Sequence, residues 1–101
     1  MSPSLQVSGA STGLSQPFGL ALDGQGRLVV TNVAGNSIAI YAAGANGNVA
    51  PIRTIAGAAT GLNVPSGVCL DASGTIYVTN ANGNSITEYA AGVAGNVAPA
   101  R

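Results

Sequence analysis

The chain has no histidine, no lysine and no tryptophan, a single cysteine, a single phenylalanine and only three acidic residues. Each shortage excludes something. Without His, and with Cys69 alone, one chain cannot assemble the usual zinc ligand sets or a Ser-His-Asp triad, so no catalytic, metal or cofactor residue is assigned. Three Arg are offset by Asp23, Asp71 and Glu88 to a net charge of zero. That leaves no basic stripe, and no nucleic-acid partner is expected. No run of about 18 apolar residues exists, so no membrane span is expected. The opening Met1 to Leu5 lacks a charged region followed by an apolar one, and the residues given are expected to hold no secretory signal. Cys69 lies between Val68 and Leu70 with no basic neighbour, and reads as a small buried hydrophobe. Compartment stays open.

Hydrophobic residues, by contrast, make up 47% of the chain and charged ones 6%, with 15 Gly. Disordered chains show the reverse balance, so a folded domain is expected.

The dominant feature is a repeat. Pro17 to Arg53 and Pro65 to Arg101 align without a gap at an offset of 48 residues, with 22 of 37 positions identical. Periods of this size belong to propeller blades or long two-helix repeats. The apolar runs are short, rich in Val, Ile, Thr and Tyr, and bounded by Gly, Asn or Asp, which leaves no room for helices. Each unit is read as four strands: a at Gly19–Asp23, b at Leu28–Asn32, c at Ser37–Tyr41 and d at Pro51–Ile55. Alternation along them is weak, as in a sheet packed on both faces. The fold class is therefore all-β, a β-propeller built from four-stranded blades with two blades per chain.

The run P-x-G-[LV]-x-L-D-x-x-G-x-[LIV]-[VY]-V-T-N-x-x-G-N-S-I, carried by both units, resembles the NHL repeat. Asn32 and Asn80 stand where that family often has Asp, and Ser37 and Ser85 where it often has Arg. The resemblance implies a closed propeller, usually six-bladed, with strand a lining a central channel. It also implies that the His-dependent lyases of related propellers are not matched here, for want of His. A metal-dependent hydrolase or lyase of the propeller type, imitating a channel ion site with Asn32, Asn80 and Asp71, is the alternative.

Two blades cannot close a ring, and repeat arrays need about three units or more. The second unit reaches Arg101 with most of strand d missing. Meanwhile Leu5 to Gln16 aligns with Arg53 to Val64, so Val7 falls on Ile55. Residues 1–16 are accordingly read as an outer strand and loop that complete a neighbouring chain's blade, 17–64 as blade 1 and 65–101 as blade 2. A head-to-tail homotrimer would give six blades; four chains would give eight. A two-blade fragment of a longer propeller, or an engineered unit without a ligand, predicts the same assembly.

The loops d to a and b to c present Gln16, Phe18, Asn32, Asn63, Asn80 and Asn82, alongside Thr12, Asn36, Thr60 and Asn84. Uncharged amides around one aromatic suit a neutral small molecule, glycan or peptide, although tight turns demand Asn and Gly in any case. Asp23 and Asp71 are read as turn-forming carboxylates. Glu88 replaces Ile40 of the first unit and calls for an Arg partner, with Arg27, Arg53 and Arg101 as candidates. Tyr41 and Tyr89 are placed between blades with the hydroxyl at a wet edge. The expected function is a non-catalytic binding or scaffold module, not an enzyme.

Overall fold

The computed structural model describes residues 6–100. Its seven strands are β1 Pro17–Leu22, β2 Leu28–Asn32, β3 Ser37–Tyr41, β4 Arg53–Ala56, β5 Pro65–Leu70, β6 Ile76–Asn80 and β7 Ser85–Tyr89. They form two antiparallel meanders, β1-β2-β3-β4 and β5-β6-β7, joined through a 3-10 turn at Ala58–Thr60. Among the described residues no helix is long and apolar enough to cross a membrane.

The turns form where the sequence places them. In the first, Asp23 Oδ1 accepts from the Gln25 and Arg27 amides, both at 2.9 Å, and Oδ2 pairs with Arg27 Nε at 2.5 Å. In the second, Asp71 Oδ1 accepts from Ser73 N at 2.9 Å and Thr75 N at 3.0 Å. A carboxylate that caps backbone donors two residues on fixes this turn type, as expected.

Strand limits differ slightly from the sequence reading. β1 begins at Pro17, paired with Asn32, with an irregularity before Gly19; the same kink recurs between Pro65 and Val68. β4 starts at Arg53 rather than Pro51. Pro51 has no N–H to give a ladder, and only Ile52 N, bonded to Ile40 O at 2.7 Å, leads the strand in. The second unit repeats that first contact, Ala100 N to Glu88 O at 2.7 Å. Beyond it, β7 is the outer strand of its sheet among the described residues.

The main core lies between the two sheets. Val29, Ile38, Ile40 and Ile55 of the first meet Leu62, Ile76, Val78 and Tyr89 of the second, all buried. At roughly 1.5–3 kcal/mol for a fully buried large aliphatic side chain, this interface is the main hydrophobic term. The other face of the first sheet carries a smaller cluster of Val30, Ala39 and Tyr41, flanked by Val7, Leu14, Leu28, Ala45 and Val49.

Two expectations are corrected. Cys69 is exposed, because Val68 and Leu70 take the core-facing positions of β5 and strand alternation sends Cys69 to the opposite face. The Tyr41 and Tyr89 hydroxyls are buried, not at a wet edge, and donate to Thr12 O at 2.6 Å and Thr60 O at 2.7 Å. A buried phenol needs an acceptor, and the folded-in loop carbonyls supply it. Burial pushes both phenols above their ordinary value of 10.0, opposed at Tyr89 by its bond to Thr87.

Candidate functional site

At one end of the sheets, the loops before β1 and β5 fold against the b–c turns. Asn32 Oδ1 accepts from Ser15 N, and Asn80 Oδ1 from Asn63 N, each at 3.0 Å. Backbone bonds reinforce both contacts: Val33 N to Gln16 O at 3.1 Å, and Ala81 N to Val64 O at 3.0 Å. Asn32 and Asn80 are buried, with their amide nitrogens on Ser37 Oγ and on Thr87 Oγ1 respectively. Their polar atoms therefore brace the loops. Asn63 and Asn82 stay exposed and touch each other, Asn82 Nδ2 to Asn63 Oδ1 at 3.3 Å.

The six residues singled out from the sequence thus fall into three groups. Gln16 joins Asn32 through the Ser15–Gln16 backbone, and Asn63, Asn80 and Asn82 form one cluster. Phe18 stands apart, 74% exposed, on an apolar hollow of about 550 Å³ lined by Leu20, Leu22, Leu28, Val30 and Tyr41. This hollow is the open side of the small cluster behind the first sheet.

The two units, which share 22 of 37 aligned residues, differ in what covers them. Val29, Thr31, Ile38 and Ile40 are buried on the trailing face of the first sheet, where the second sheet lies against it. Their counterparts 48 residues on are Tyr77, Thr79, Ile86 and Glu88. Ile38 is 0% exposed and Ile86 66%. On the leading faces, Val68 and Leu70 pack into the core, while Leu20 and Leu22 are 64% and 63% exposed. The small cluster holds the counterparts of Leu62, Ile76, Val78, Tyr89 and Ile55, namely Leu14, Leu28, Val30, Tyr41 and Val7. It lacks the three side chains corresponding to Val29, Ile38 and Ile40, and Leu20 and Leu22, the counterparts of Val68 and Leu70, stay exposed beside it.

The N-terminal segment obeys the same offset. Val7 forms a parallel bridge with Gly47, as Ile55 does with Gly95. Gly47 N bonds Gln6 O and Gly95 N bonds Thr54 O, at 2.5 and 2.7 Å. The Ser11 and Ala59 amides reach Asn48 and Asn96 Oδ1, both at 2.8 Å. Residues 6–14 therefore lie against the first sheet as β4 and its following turn lie against the second. Leu5, the first residue of the aligned strand, falls outside the described residues, as does Arg101.

Electrostatics at the turns is modest. Burial raises the Asp23 carboxyl, but hydrogen bonds from Arg27 and Gln25 outweigh it and hold it below 3.8. Asp71 is held below 3.8 first by the Tyr77 hydroxyl, at 2.9 Å, and then by the Thr75 amide. Among the described residues, no three His, Cys, Asp or Glu side chains come together as a metal-holding group.

These features define an all-β repeat protein of successive antiparallel blade-like sheets packed face to face. Residues 62–89 match the family model of the NHL repeat, so the resemblance read from the sequence holds for the second unit, and the first repeats its pattern 48 residues earlier. The search of curated proteins returned no match. A β-propeller-type binding or scaffold module is the class of function this repeat suggests.

Proposed function

We propose that the chain is a non-catalytic, self-assembling propeller module, in which three copies close a six-bladed ring that serves as a binding or scaffold unit. The observation behind the reading is the mismatch between equivalent residues: Ile38 is sealed and Ile86 is 66% exposed, while Leu20 and Leu22 line an open hollow. A second copy placed against this chain as its own second sheet sits on its first would bring Ile86 and Tyr77 onto that hollow. Both open faces would be covered by one contact, heterologous and head to tail. The same placement carries Gln6–Ser8 beside β7, where Val7 would oppose Ile86 as Ile55 opposes Ile38. Residues 1–16 thereby complete a neighbour's blade, and each blade has four strands. The six-blade count follows the NHL resemblance.

For the ring's loop end we assign a neutral ligand, a glycan or peptide backbone, met by the exposed Asn63 and Asn82, with any weak site repeated three times. Light scattering on the folded protein tests the assembly. The expected mass is three times the 9.7 kDa of the chain; a folded species of 9.7 kDa would overturn it.

A further inference from the structure

Resting on the ring reading, we infer that the trailing edge of the second sheet is a preformed polar latch for a second copy of this chain, built from Gly67, Thr79 and Asn84. The argument begins with how the two sheets of one chain are joined. Besides apolar contact and the β4 bridge to Gly95, two side-chain hydrogen bonds join them near β1 and β5. Thr31 Oγ1 donates to Ser66 O at 2.7 Å, and Val64 N donates to Asn36 Oδ1 at 2.8 Å. Both depend on unusual local structure. Val64 sits at φ 52 and Asn36 at φ 47, and a left-handed β-branched residue is a strained conformation that its surroundings must hold. Gly19, beside Thr31, lets the sheets approach so closely that a Cβ there would overlap the Ser66 carbonyl oxygen.

Every part of this joint is present again 48 residues on, without the other half. Asn84 has φ 50, as Asn36 does, and its side chain has no hydrogen-bond partner among the described residues. Thr79 Oγ1 accepts from Gly67 N at 2.9 Å, as Thr31 Oγ1 accepts from Gly19 N. Its hydroxyl reaches no neighbouring sheet among the described residues and has only local partners within its own sheet, Ser66 Oγ at 3.2 Å and Gly67 O at 3.5 Å. A Cβ on Gly67 would meet only Thr79 Oγ1, at 2.9 Å. The complementary half lies at the other end of the chain. Gln16, at φ 50, already holds the strained conformation of Val64, and its amide has no partner among the described residues. Phe18 supplies the carbonyl that corresponds to Ser66 O.

The occupant is therefore specified in detail. A second copy offers the Gln16 amide to Asn84 Oδ1 and the Phe18 carbonyl to the Thr79 hydroxyl, with its β1 pressed against Gly67. These bonds fix the register along the blade, which a greasy face alone leaves loose.

The test separates the latch from the ring. Mass by light scattering is read for the intact chain and for Asn84→Gly, which keeps the left-handed backbone and removes only the acceptor. Amide exchange by NMR is read at Gln16 with Val64 as internal reference. The expected result is a trimer in which the Gln16 amide is protected like that of Val64. Asn84→Gly should weaken assembly about tenfold per contact, the scale of one net hydrogen bond, and expose the Gln16 amide. Gly67→Ala should block assembly altogether. A trimer whose Gln16 amide exchanges freely, or whose mass and dissociation are unmoved by Asn84→Gly, refutes the latch and leaves the ring. A monomeric intact chain refutes both.

Discussion

Ile38 and Ile86 provide a controlled experiment that the repeat itself sets up. They occupy the same position in the same strand of two repeat units, so the intrinsic propensity of the residue itself cancels between them. What surrounds them differs: Ile38 is 0% exposed, covered by the second sheet and flanked by Ile55 of β4, and Ile86 is 66% exposed on an outer strand. Ile38→Ala removes buried methyl groups from the main core, where such truncations cost about 2–5 kcal/mol. Against a total stability of about 5–15 kcal/mol for a natural domain, that is a large share. Its midpoint should fall by about 4–8 °C for each kcal/mol in a chain of this size. Ile86→Ala in an isolated chain should move stability by no more than about 0.5 kcal/mol. Once Ile86 enters a second copy's hollow beside Leu20 and Leu22, its truncation should approach the cost at Ile38. Urea unfolding followed by far-UV circular dichroism, at low and high protein concentration, reads both. The Ile38 variant should lose stability at every concentration, the Ile86 variant only where copies associate. An Ile38→Ala loss below about 1 kcal/mol would refute the core between the sheets. An equal loss at both positions in monomeric protein would refute the assignment of covered and open faces.

Other consequences are open to the same assays. Tyr89→Phe removes a donor to Thr60 O and a bond to Thr87 Oγ1, and chemical unfolding should show a loss of about 1–3 kcal/mol from stranding those buried groups. Asn36→Gly keeps the positive φ and loses the bond to Val64 N, so it should cost about 1 kcal/mol, whereas Asn36→Ala should cost more by adding backbone strain. Gly19→Ala should disrupt the packing of the two sheets within the chain, seen as loss of the cooperative transition. Asp23 and Asp71 both have carboxyls lowered by folding. Their contribution is complete above the ordinary value of 3.8 and is lost as pH falls through the lowered folded values. Asp71→Asn should therefore flatten the acid limb of a stability-against-pH curve, and an unchanged limb would remove that carboxylate from the account.

Much of this architecture is legible in the sequence because its signals are local. The Asp-x-x-Gly turns, the Val- and Ile-rich runs and the 48-residue offset locate seven strands, and the alignment of Val7 with Ile55 matches their equivalent bridges to Gly47 and Gly95. Strand ends shift by two residues at Pro17 and Pro51, where ladder donors and a kink decide the limit. The candidate site is less legible. An Asn that braces a loop and an Asn that meets a ligand carry the same amide, and only burial distinguishes Asn32 and Asn80 from Asn63 and Asn82. One signal was available in the sequence: Ser15 to Asn32 and Asn63 to Asn80 are both 17 residues apart, as paired loops require. The left-handed Val64 gives no such signal, because nothing in a valine announces a positive φ. The apolar neighbours of Cys69 suggest burial, whereas strand alternation places it on the other, exposed face.

The close approach at Gly19 also bears on counting. In the proposed ring, a unit with two unlike faces would add copies in one direction only, each turned from the last by the angle between its own two sheets plus the angle at the seam. The ring proposed above would then have half of its turns set inside the single chain, at the contact of β1 with β5 that this glycine permits, and half at the equivalent joint between chains. A substitution that opens that angle slightly would alter the number of copies needed to return to the start, or turn a closed circle into a helical filament. The smallest residue in the joint would then act as a protractor for the proposed assembly.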